Sequence, residues 1–307
     1  MSSAVYTHRA CLEHDPGPGH PESSARLAAV LEALAEPRFA ALARIEAPAA
    51  TREQLARVHA HDLIDSVLDE PVAAGWRRLD PDTVMSPASA DAALRAAGAV
   101  CAAVDATIAG THRRAFCAVR PPGHHATRDT PMGFCLFNSV AVGAAHAIAK
   151  HGLERIAIVD FDVHHGNGTQ DIFWSDARVL YASSHQWPLY PGTGARTETG
   201  AGNIVNAPLR PGSGSAEFRR AYEEIVLPAL RTFAPEFVLI SAGFDAHRLD
   251  PLANLDLVAD DYAWITERLV DIAEQHAGGR VVSSLEGGYS LTALRESTAA
   301  HVSALAD

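Results

Sequence analysis

The chain has 307 residues, of which 48% are hydrophobic and 20% are charged, and its formal net charge is −12. This length and composition predict a globular protein with one large core, and we expect a single domain spanning residues 1–307. No apolar run reaches the ~18 residues of a membrane span, and the amino terminus lacks a signal-peptide pattern. The negative charge, without any Lys/Arg-rich block, disfavours direct nucleic-acid binding. We therefore expect a cytoplasmic protein that binds neither membranes nor nucleic acid.

The amino-terminal third alternates helices with turn-rich loops. Ser23 is a predicted N-cap, and Arg26 follows in the first turn, where the helix dipole disfavours a cation, so a buried anion partner or a functional role is worth considering. Thr51 and Gln54 have the spacing of a capping box. In chain order we predict a strand at 4–7, helices beginning after Ser23 and Thr51, a helix at 61–68, an ordered loop at 77–87 and an alanine-rich helix at 89–109.

Strands and helices alternate through the rest of the chain. We predict strands at 115–120, 156–160, 179–183, 237–241 and 281–285, and helices at 139–150, 215–232, 259–275 and from about 291 onward. Such alternation predicts an α/β fold with three layers, a mainly parallel sheet covered by helices on both faces. The four cysteines have no Cys-x-x-Cys spacing, which indicates reduced thiols rather than a disulfide framework or a thiolate metal site.

The strand at 156–160 runs directly into polar residues, in the sequence DFDVHHGNGT. If the strand continued, Asp160, Asp162 and His164 would share one face, because successive side chains alternate. Buried carboxylates beside an imidazole are costly unless something satisfies them, and a cation is the usual candidate. A strand end turning into a solvated loop is the alternative interpretation of this stretch alone.

Three other predicted strands also end in residues suited to chemistry. His124 and His125 follow the strand at 115–120, Asp245 follows the strand at 237–241, and Tyr289 follows the strand at 281–285. In parallel sheets functional groups gather beyond the carboxyl ends of the strands. Asp162, His164 and Asp245 would give a catalytic metal three ligands and one open position. Taken singly, each residue has a structural interpretation, as a turn aspartate, a loop histidine pair or a buried loop tyrosine.

Five motifs, RPPGHHA, GFCLFNS, DFDVHHGNGTQ, SAGFDAH and LEGGY, occur in this order. Together they resemble the zinc-dependent deacetylases, the family of histone deacetylases and acetylpolyamine amidohydrolases. The resemblance extends from about His20 to Tyr289 and implies an arginase-like α/β fold that hydrolyses an N-acetyl amide to an amine and acetate. Asn167 stands where one branch has an aspartate beside the second histidine, so the chain resembles the class II-like branch.

The resemblance implies a role for each strand-end residue. The three predicted ligands would bind one catalytic Zn²⁺, although their donor atoms also suit Fe²⁺. His125 would be the general base that activates water and then the acid that protonates the leaving amine. His124, backed by Asp160, would stabilise charge, and Tyr289 would polarise the substrate carbonyl. An amide is a poor electrophile, and these functions are the ones that its hydrolysis needs.

The resemblance further implies roles for residues around the catalytic group. An acyl-lysine tunnel is expected between Gly133 and Phe134 on one side and Tyr190 on the other, with Leu252 near the metal. Asp82, with Asp80 as the competing position, would grip the substrate backbone at the rim. Arg26 would lie at an acetate exit channel. A structural K⁺ would be bound near five residues, partly through backbone carbonyls: Asp160, Asp162, His164, Ser183 and Ser184.

Two rival classes are disfavoured by particular residues. A ureohydrolase of the arginase type would carry further acids at the positions of Gly166 and His247. A non-catalytic acyl-lysine reader would be expected to lack the tyrosine or a metal ligand. For the substrate, Leu252 in place of a glutamate gatekeeper favours acetylated lysine in proteins or peptides, with an acetylpolyamine or another small N-acyl amine as the alternative. The sequence leaves acyl-chain length and oligomeric state open.

Overall fold

The computed structural model describes residues 3–306 and is built on one large parallel sheet. Eight strands form this sheet in the order β2-β1-β5-β10-β9-β6-β7-β8, and every neighbouring pair in it is parallel. A separate antiparallel pair consists of β3 and β4. The strand bounds are β1 Ser3–Thr7, β2 Ala43–Glu46, β3 Arg77–Arg78, β4 Val84–Met85, β5 Arg114–Cys117, β6 Ile156–Asp160, β7 Val179–Gln186, β8 Ile204–Leu209, β9 Phe237–Ala242 and β10 Val281–Leu285.

The helices pack in groups against this sheet. Their bounds are α1 Ala10–Glu13, α2 Ser24–Leu34, α3 Arg52–Ala56, α4 His61–Leu68, α5 Ser89–Ile108, α6 Ser139–His151, α7 Asn167–Phe173, α8 Ser215–Ala221, α9 Leu227–Phe233, α10 Ala259–His276 and α11 Leu291–Ala306. Helix α5 packs against α6, and α11 packs against both α2 and α10. The predicted class, a mainly parallel sheet layered with helices, is confirmed. The prediction of one domain over 1–307 includes Met1, Ser2 and Asp307, which lie outside the described residues.

Strands β6 and β9 are apolar apart from Asp160 and Ser241, because both faces of these central strands are covered. All five residues of β6 and all six of β9 are buried. Near-continuous hydrophobic strands are typical of parallel sheets for this reason. The predicted capping box at Thr51 is present, since its hydroxyl accepts the Gln54 N–H while the Gln54 side chain accepts the Thr51 N–H. Ser23 occupies its predicted N-cap position but makes no side-chain capping bond.

The structure corrects several predicted boundaries. Strand β6 ends at Asp160, so Asp162 and His164 belong to the following loop and do not project from a continued strand. Hydrogen bonds to its own aspartates stabilise the turns of this loop. The Asp162 N–H donates to the Asp160 carboxylate at 3.1 Å, and the His164 N–H donates to the Asp162 carboxylate at 2.9 Å. The predicted strand at 115–120 ends at Cys117, and the segment predicted as a loop at 77–87 contains the β3–β4 pair.

Besides β3 and β4, four of the elements named above were not predicted: α1, β2, α7 and β8. Strands β2 and β8 form the two edges of the sheet, and β8 contains Pro208, which an edge strand tolerates. Helix α7 begins in the Gly-Asn-Gly stretch, for which a solvated loop was the alternative interpretation. In the 215–232 region, α8 and α9 are joined by a π-helical turn over Tyr222–Val226. Within residues 3–306, every helix is too short or too polar to cross a membrane.

Candidate active site

Four adjacent strands bring the predicted site residues together. In the sheet order, β5, β10, β9 and β6 are consecutive, and they carry His124 and His125, Tyr289, Asp245 and Asp162 beyond their carboxyl ends. The chain visits these strands in a different order. Their adjacency is therefore a property of the fold that the motifs alone do not contain.

Asp162, His164 and Asp245 converge on one buried point. The His164 Nδ1 atom lies 3.1 Å from an oxygen of each carboxylate, and one donor atom from each residue lies within 4.8 Å of the others. The second oxygen of Asp162 accepts the Gly287 N–H at 2.8 Å, while that of Asp245 accepts the Val163 N–H at 2.8 Å. The predicted ligand set is thus assembled with its donor atoms oriented inward.

This donor set fits a divalent cation. Nδ1 of His164 can carry a single proton, so it can donate to only one of the two carboxylate oxygens that face it. Among the described residues no lysine or arginine pairs with either carboxylate. Burial and the neighbouring Asp162 charge raise the pKa of Asp245 to about 7. Tetrahedral zinc with ligands at its usual bond lengths separates them by roughly 3.3 Å, close to the observed 3.1 Å spacing.

Close packing around these carboxylates also demands glycine at position 287. A Cβ atom there would lie 2.2 Å from an oxygen of Asp245 and 2.5 Å from one of Asp162. The first glycine of the EGGY motif is therefore required by its close approach to these two carboxylates.

His124 is held as a charged donor. Its Nδ1 lies 2.9 Å from the Asp160 carboxylate, which also accepts the Tyr181 hydroxyl at 2.9 Å. Burial alone would lower the pKa of His124, but Asp160 and Asp162 outweigh it and raise that pKa to about 10. The predicted pairing with Asp160 is present, and the buried pair can place a positive charge beside the site.

His125 has the opposite electrostatic environment. Its Nδ1 lies 2.8 Å from the Asn167 side-chain oxygen, an acceptor, so we assign the proton to Nδ1 and the free lone pair to Nε2. Burial, followed by the charges of His124 and His164, holds the pKa of His125 well below its usual range. The two adjacent histidines therefore divide into a charged and a neutral imidazole, which suits electrostatic stabilisation and proton acceptance, respectively.

Tyr289 is fixed through its backbone. Its N–H donates to the Asp250 carboxylate at 2.7 Å, and the other Asp250 oxygen accepts the Leu252 N–H at 3.0 Å. Asp250 thereby ties the tyrosine to the loop that carries Leu252. Asp250 was not among the predicted site residues, because the short DPL segment in which it lies is typical of any turn.

Arg26 is fully buried and contacts the same loop. Its guanidinium lies 4.8 Å from the centroid of the Tyr289 ring and donates to the backbone carbonyls of Gly288 and Glu286. The buried anion that its helix position called for is Glu22, at 2.9 Å. Its role at an exit channel stays a prediction.

The residues predicted to form a tunnel line one cavity of about 250 Å³ together with His125, His164 and Tyr289. Phe134 and Tyr190 supply aromatic walls, with the Phe134 ring 5.9 Å from Tyr289 and the Tyr190 ring 5.1 Å from His125, each edge to face. The remaining lining residues are Asp82, His125, Gly133, His164, Leu189, Leu252 and Tyr289. Asp80 instead accepts the N–H groups of Asp82 and Thr83, which orients the rim turn and leaves Asp82 as the carboxylate facing the cavity.

Glu286 is a buried carboxylate that the sequence analysis passed over within the LEGGY motif. One of its oxygens accepts the N–H groups of Gly123 and His124, at 2.6 and 3.1 Å, and the other accepts the Ser241 hydroxyl at 3.2 Å. Burial raises the pKa of Glu286 to about 7. It links the loop that carries Tyr289 to the loop that carries the two histidines. The signal available in the sequence was that Glu286 is the one charged residue in this glycine-rich motif.

A parallel α/β sheet with two carboxylates and an imidazole assembled at its carboxyl edge is the arrangement of a metal-dependent hydrolase. Comparison with known proteins identifies the family, since residues 20–305 match the family model described as "Histone deacetylase domain". The chain belongs to the histone deacetylase family, whose members are metal-dependent hydrolases of acetylated substrates.

Individual relatives agree with this assignment. A "Probable deacetylase" of Archaeoglobus fulgidus is 41% identical over 298 residues, covering 95% of this chain and 82% of that protein. A "Histone deacetylase-like amidohydrolase" of Pseudomonas aeruginosa is 39% identical over 315 residues, covering 94% and 82%. The crystal structure of the HDA15 HD domain superposes with a TM-score of 0.94 and 38% identity, covering 99% of this chain and 88% of that one.

Proposed function

We propose that the protein is a zinc-dependent hydrolase that removes acetyl groups from lysine side chains of proteins or peptides. One observation carries the proposal: a single cavity of about 250 Å³ contains His125, His164 and Tyr289, with aromatic walls at Phe134 and Tyr190. A narrow apolar cavity that ends at polar groups suits an acylated aliphatic amine.

Zinc would be held by Asp162, His164 and Asp245, with Fe²⁺ as the alternative ion. When bound, such an ion lowers the pKa of a water molecule and polarises the carbonyl of the substrate. Among the described residues three donor groups converge there, so an ion held by them would be able to bind a water molecule as well.

His125 would move the proton. Its free Nε2 lone pair accepts a proton from the attacking water while Asn167 holds Nδ1, and the imidazolium then donates this proton to the leaving amine. An expelled amine anion is a very poor leaving group, so the second transfer is as necessary as the first. The low pKa of His125 keeps the imidazole neutral and ready to accept a proton at neutral pH.

Tyr289 and His124 would stabilise the negative charge that develops on the carbonyl oxygen. The Tyr289 hydroxyl donates a hydrogen bond to this oxygen, and burial keeps the pKa of Tyr289 well above its usual range, so the donor proton is retained. The charged His124 lies beside His125, with 4.1 Å between ring centroids, and contributes a fixed positive charge.

We also propose that K⁺ is bound beneath the metal loop. Asp160 pairs in register with Ser183, so the ends of β6 and β7 lie side by side at the buried edge of the sheet. The hydroxyls of Ser183 and Ser184 already contact His185 and Tyr222, which supports the expectation that carbonyl oxygens would supply ligands.

The test is the release of free amine from an acetyl-lysine peptide and from an acetylpolyamine, assayed in parallel. We expect turnover of the peptide, abolished by chelation and restored by Zn²⁺. Tyr289→Phe should lower kcat by about 10²–10³-fold, because it removes one donor to the developing charge. Tyr6→Phe, which removes a buried hydroxyl from β1 outside the cavity, is the matched control and should retain activity. Preference for the polyamine would contradict the substrate assignment, and turnover without metal would contradict the mechanism.

A further inference from the structure

A second and larger cavity, of about 810 Å³, adjoins the tunnel. The two cavities share Asp82 and Phe134 as wall residues. We call the larger one the Trp76 groove, after the residue that stands against its proline- and glycine-rich wall at 16–21. A substrate that enters the tunnel and extends beyond it would therefore reach the groove without crossing open protein surface.

Contacts within the groove hold the Trp76 side chain in a fixed orientation. Trp76 is 54% exposed, yet its indole N–H donates to the Asp15 carbonyl at 3.1 Å, which fixes the orientation of the ring. Gly17 lies against the indole: a Cβ atom there would be 3.4 Å from the ring, and the backbone φ of +108° is one that glycine adopts freely. An exposed indole that is oriented in this way loses little side-chain entropy when a ligand covers it.

The groove wall is also coupled to the tunnel wall. The His20 ring lies 4.7 Å from the Phe134 ring, edge to face, and its Nε2 lies 3.1 Å from the Asp82 carbonyl. Phe134 in turn donates its N–H to the Thr83 hydroxyl at 3.1 Å. The residues at the junction of the two cavities thus form one connected unit.

We propose that the Trp76 groove binds the side chain next to the acyl-lysine in a peptide substrate and that it prefers an aromatic side chain. This inference rests on the proposed function, because the groove can bind a neighbouring side chain only if the adjoining tunnel binds an acyl-lysine. The walls supply an indole, a phenyl ring and proline rings, so an aromatic side chain can stack and bury apolar area there. Arg78 donates to the Pro81 carbonyl at 3.0 Å and Asp82 lies opposite, so neither charge sign dominates. A small acetylpolyamine has no side chain with which to fill the groove.

The experiment compares kcat/KM for two acetyl-lysine peptides that differ only in phenylalanine or glycine beside the modified lysine, placed on each side in turn. A doubly blocked acetyl-lysine without neighbours tests whether the enzyme works at all. On one side we expect the wild-type protein to prefer the phenylalanine peptide by about tenfold, expressed mainly in KM. Trp76→Ala should reduce this ratio to near one, and Trp76→Phe should restore most of it.

Trp174→Ala is the matched control, since Trp174 is also exposed, at 42%, but lines neither cavity. It should leave the phenylalanine-to-glycine ratio unchanged. A wild-type ratio near one on both sides, or a ratio that survives Trp76→Ala, overturns the groove proposal while hydrolysis of the blocked acetyl-lysine still stands. Failure to release amine from every lysine substrate overturns the proposed function instead.

Discussion

At the scale of single residues, the site depends on neighbouring groups being held in different charge states. His124 and His125 are adjacent in sequence, yet Asp160 raises the pKa of the first while burial and positive neighbours lower that of the second. Asn167 matters because a neutral amide fixes the Nδ1 proton of His125 without adding a carboxylate, which would raise the proton affinity of the ring. The motifs identified both histidines, but only the contacts distinguish their environments.

Replacement of Glu286 should lower both the stability of the protein and its kcat. Glu286→Ala would leave the buried N–H groups of Gly123 and His124 without an acceptor, at a cost of about 1–3 kcal/mol in the free energy of unfolding. Because these groups position the histidine loop, we also expect kcat to fall by about tenfold or more with little change in KM. Glu286→Gln keeps an acceptor oxygen and should restore most of kcat. Steady-state kinetics and chemical denaturation of the same samples measure the two effects.

Ser241→Ala provides the control, because it removes the other hydrogen bond of Glu286 and leaves both loop contacts in place. It should change kcat far less than Glu286→Ala does. If Glu286→Ala lowers stability but leaves kcat intact, the carboxylate has a structural role alone.

At the scale of elements, close packing can reverse the effect of helix propensity. Gly98 lies in the interior of α5, where alanine would ordinarily stabilise the helix by about 1 kcal/mol. A Cβ atom at Gly98, however, would lie 2.0 Å from the Pro48 carbonyl oxygen and 2.6 Å from the Ala50 backbone nitrogen. We therefore expect Gly98→Ala to lower the free energy of unfolding by about 1–3 kcal/mol, measured by chemical denaturation.

Gly143 in α6 offers a matched comparison, because its added Cβ would meet a side chain, Val100 Cγ1, at 2.3 Å. Adding Val100→Ala should recover part of the loss caused by Gly143→Ala, as a double-mutant cycle would show. No single side-chain truncation should rescue Gly98→Ala. A stabilised Gly98→Ala protein would contradict the backbone clash.

Some strands of the sheet were predictable from the sequence, and others were not. The buried strands β6 and β9 were predictable because each begins with four consecutive apolar residues, at 156–159 and 237–240, and polar residues follow them. Strands β5 and β10 contain shorter apolar runs, and the predicted bounds of β5 were wrong. The edge strand β2 was missed because its apolar face consists of Ala43 and Ile45 alone, and an alternation over four residues is too short to detect. The order of strands in the sheet, which makes Asp162 and Asp245 neighbours, follows from long-range pairing and so could be inferred only through the resemblance. The Trp76 groove was not predicted, since one exposed tryptophan has no sequence signature.

At the scale of the whole molecule, we expect buried neutral histidines to contribute to the loss of stability in acid. His301 in α11 is fully buried and lies 2.6 Å from the Thr266 hydroxyl of α10 and 2.8 Å from the Ser283 hydroxyl of β10. It therefore joins two helices to the sheet. Burial lowers the pKa of His301 to about 3, and burial likewise lowers those of His59 and His185 to about 4.

The lowered pKa of His301 should make the free energy of unfolding depend on pH. At pH 5 the imidazole of His301 is protonated in the unfolded chain, where its pKa is about 6.5, but neutral in the folded protein. The unfolded state then binds more protons, so the contribution of this residue to stability is complete above pH 6.5 and is lost as the pH falls toward 3. His301→Gln should therefore flatten the dependence of unfolding free energy on pH by about 1.4 kcal/mol per pH unit between about pH 4 and 6. His276→Gln, at an exposed histidine in α10, should leave this dependence unchanged, and equal slopes for wild type and His301→Gln would show that His301 can be protonated in the folded protein.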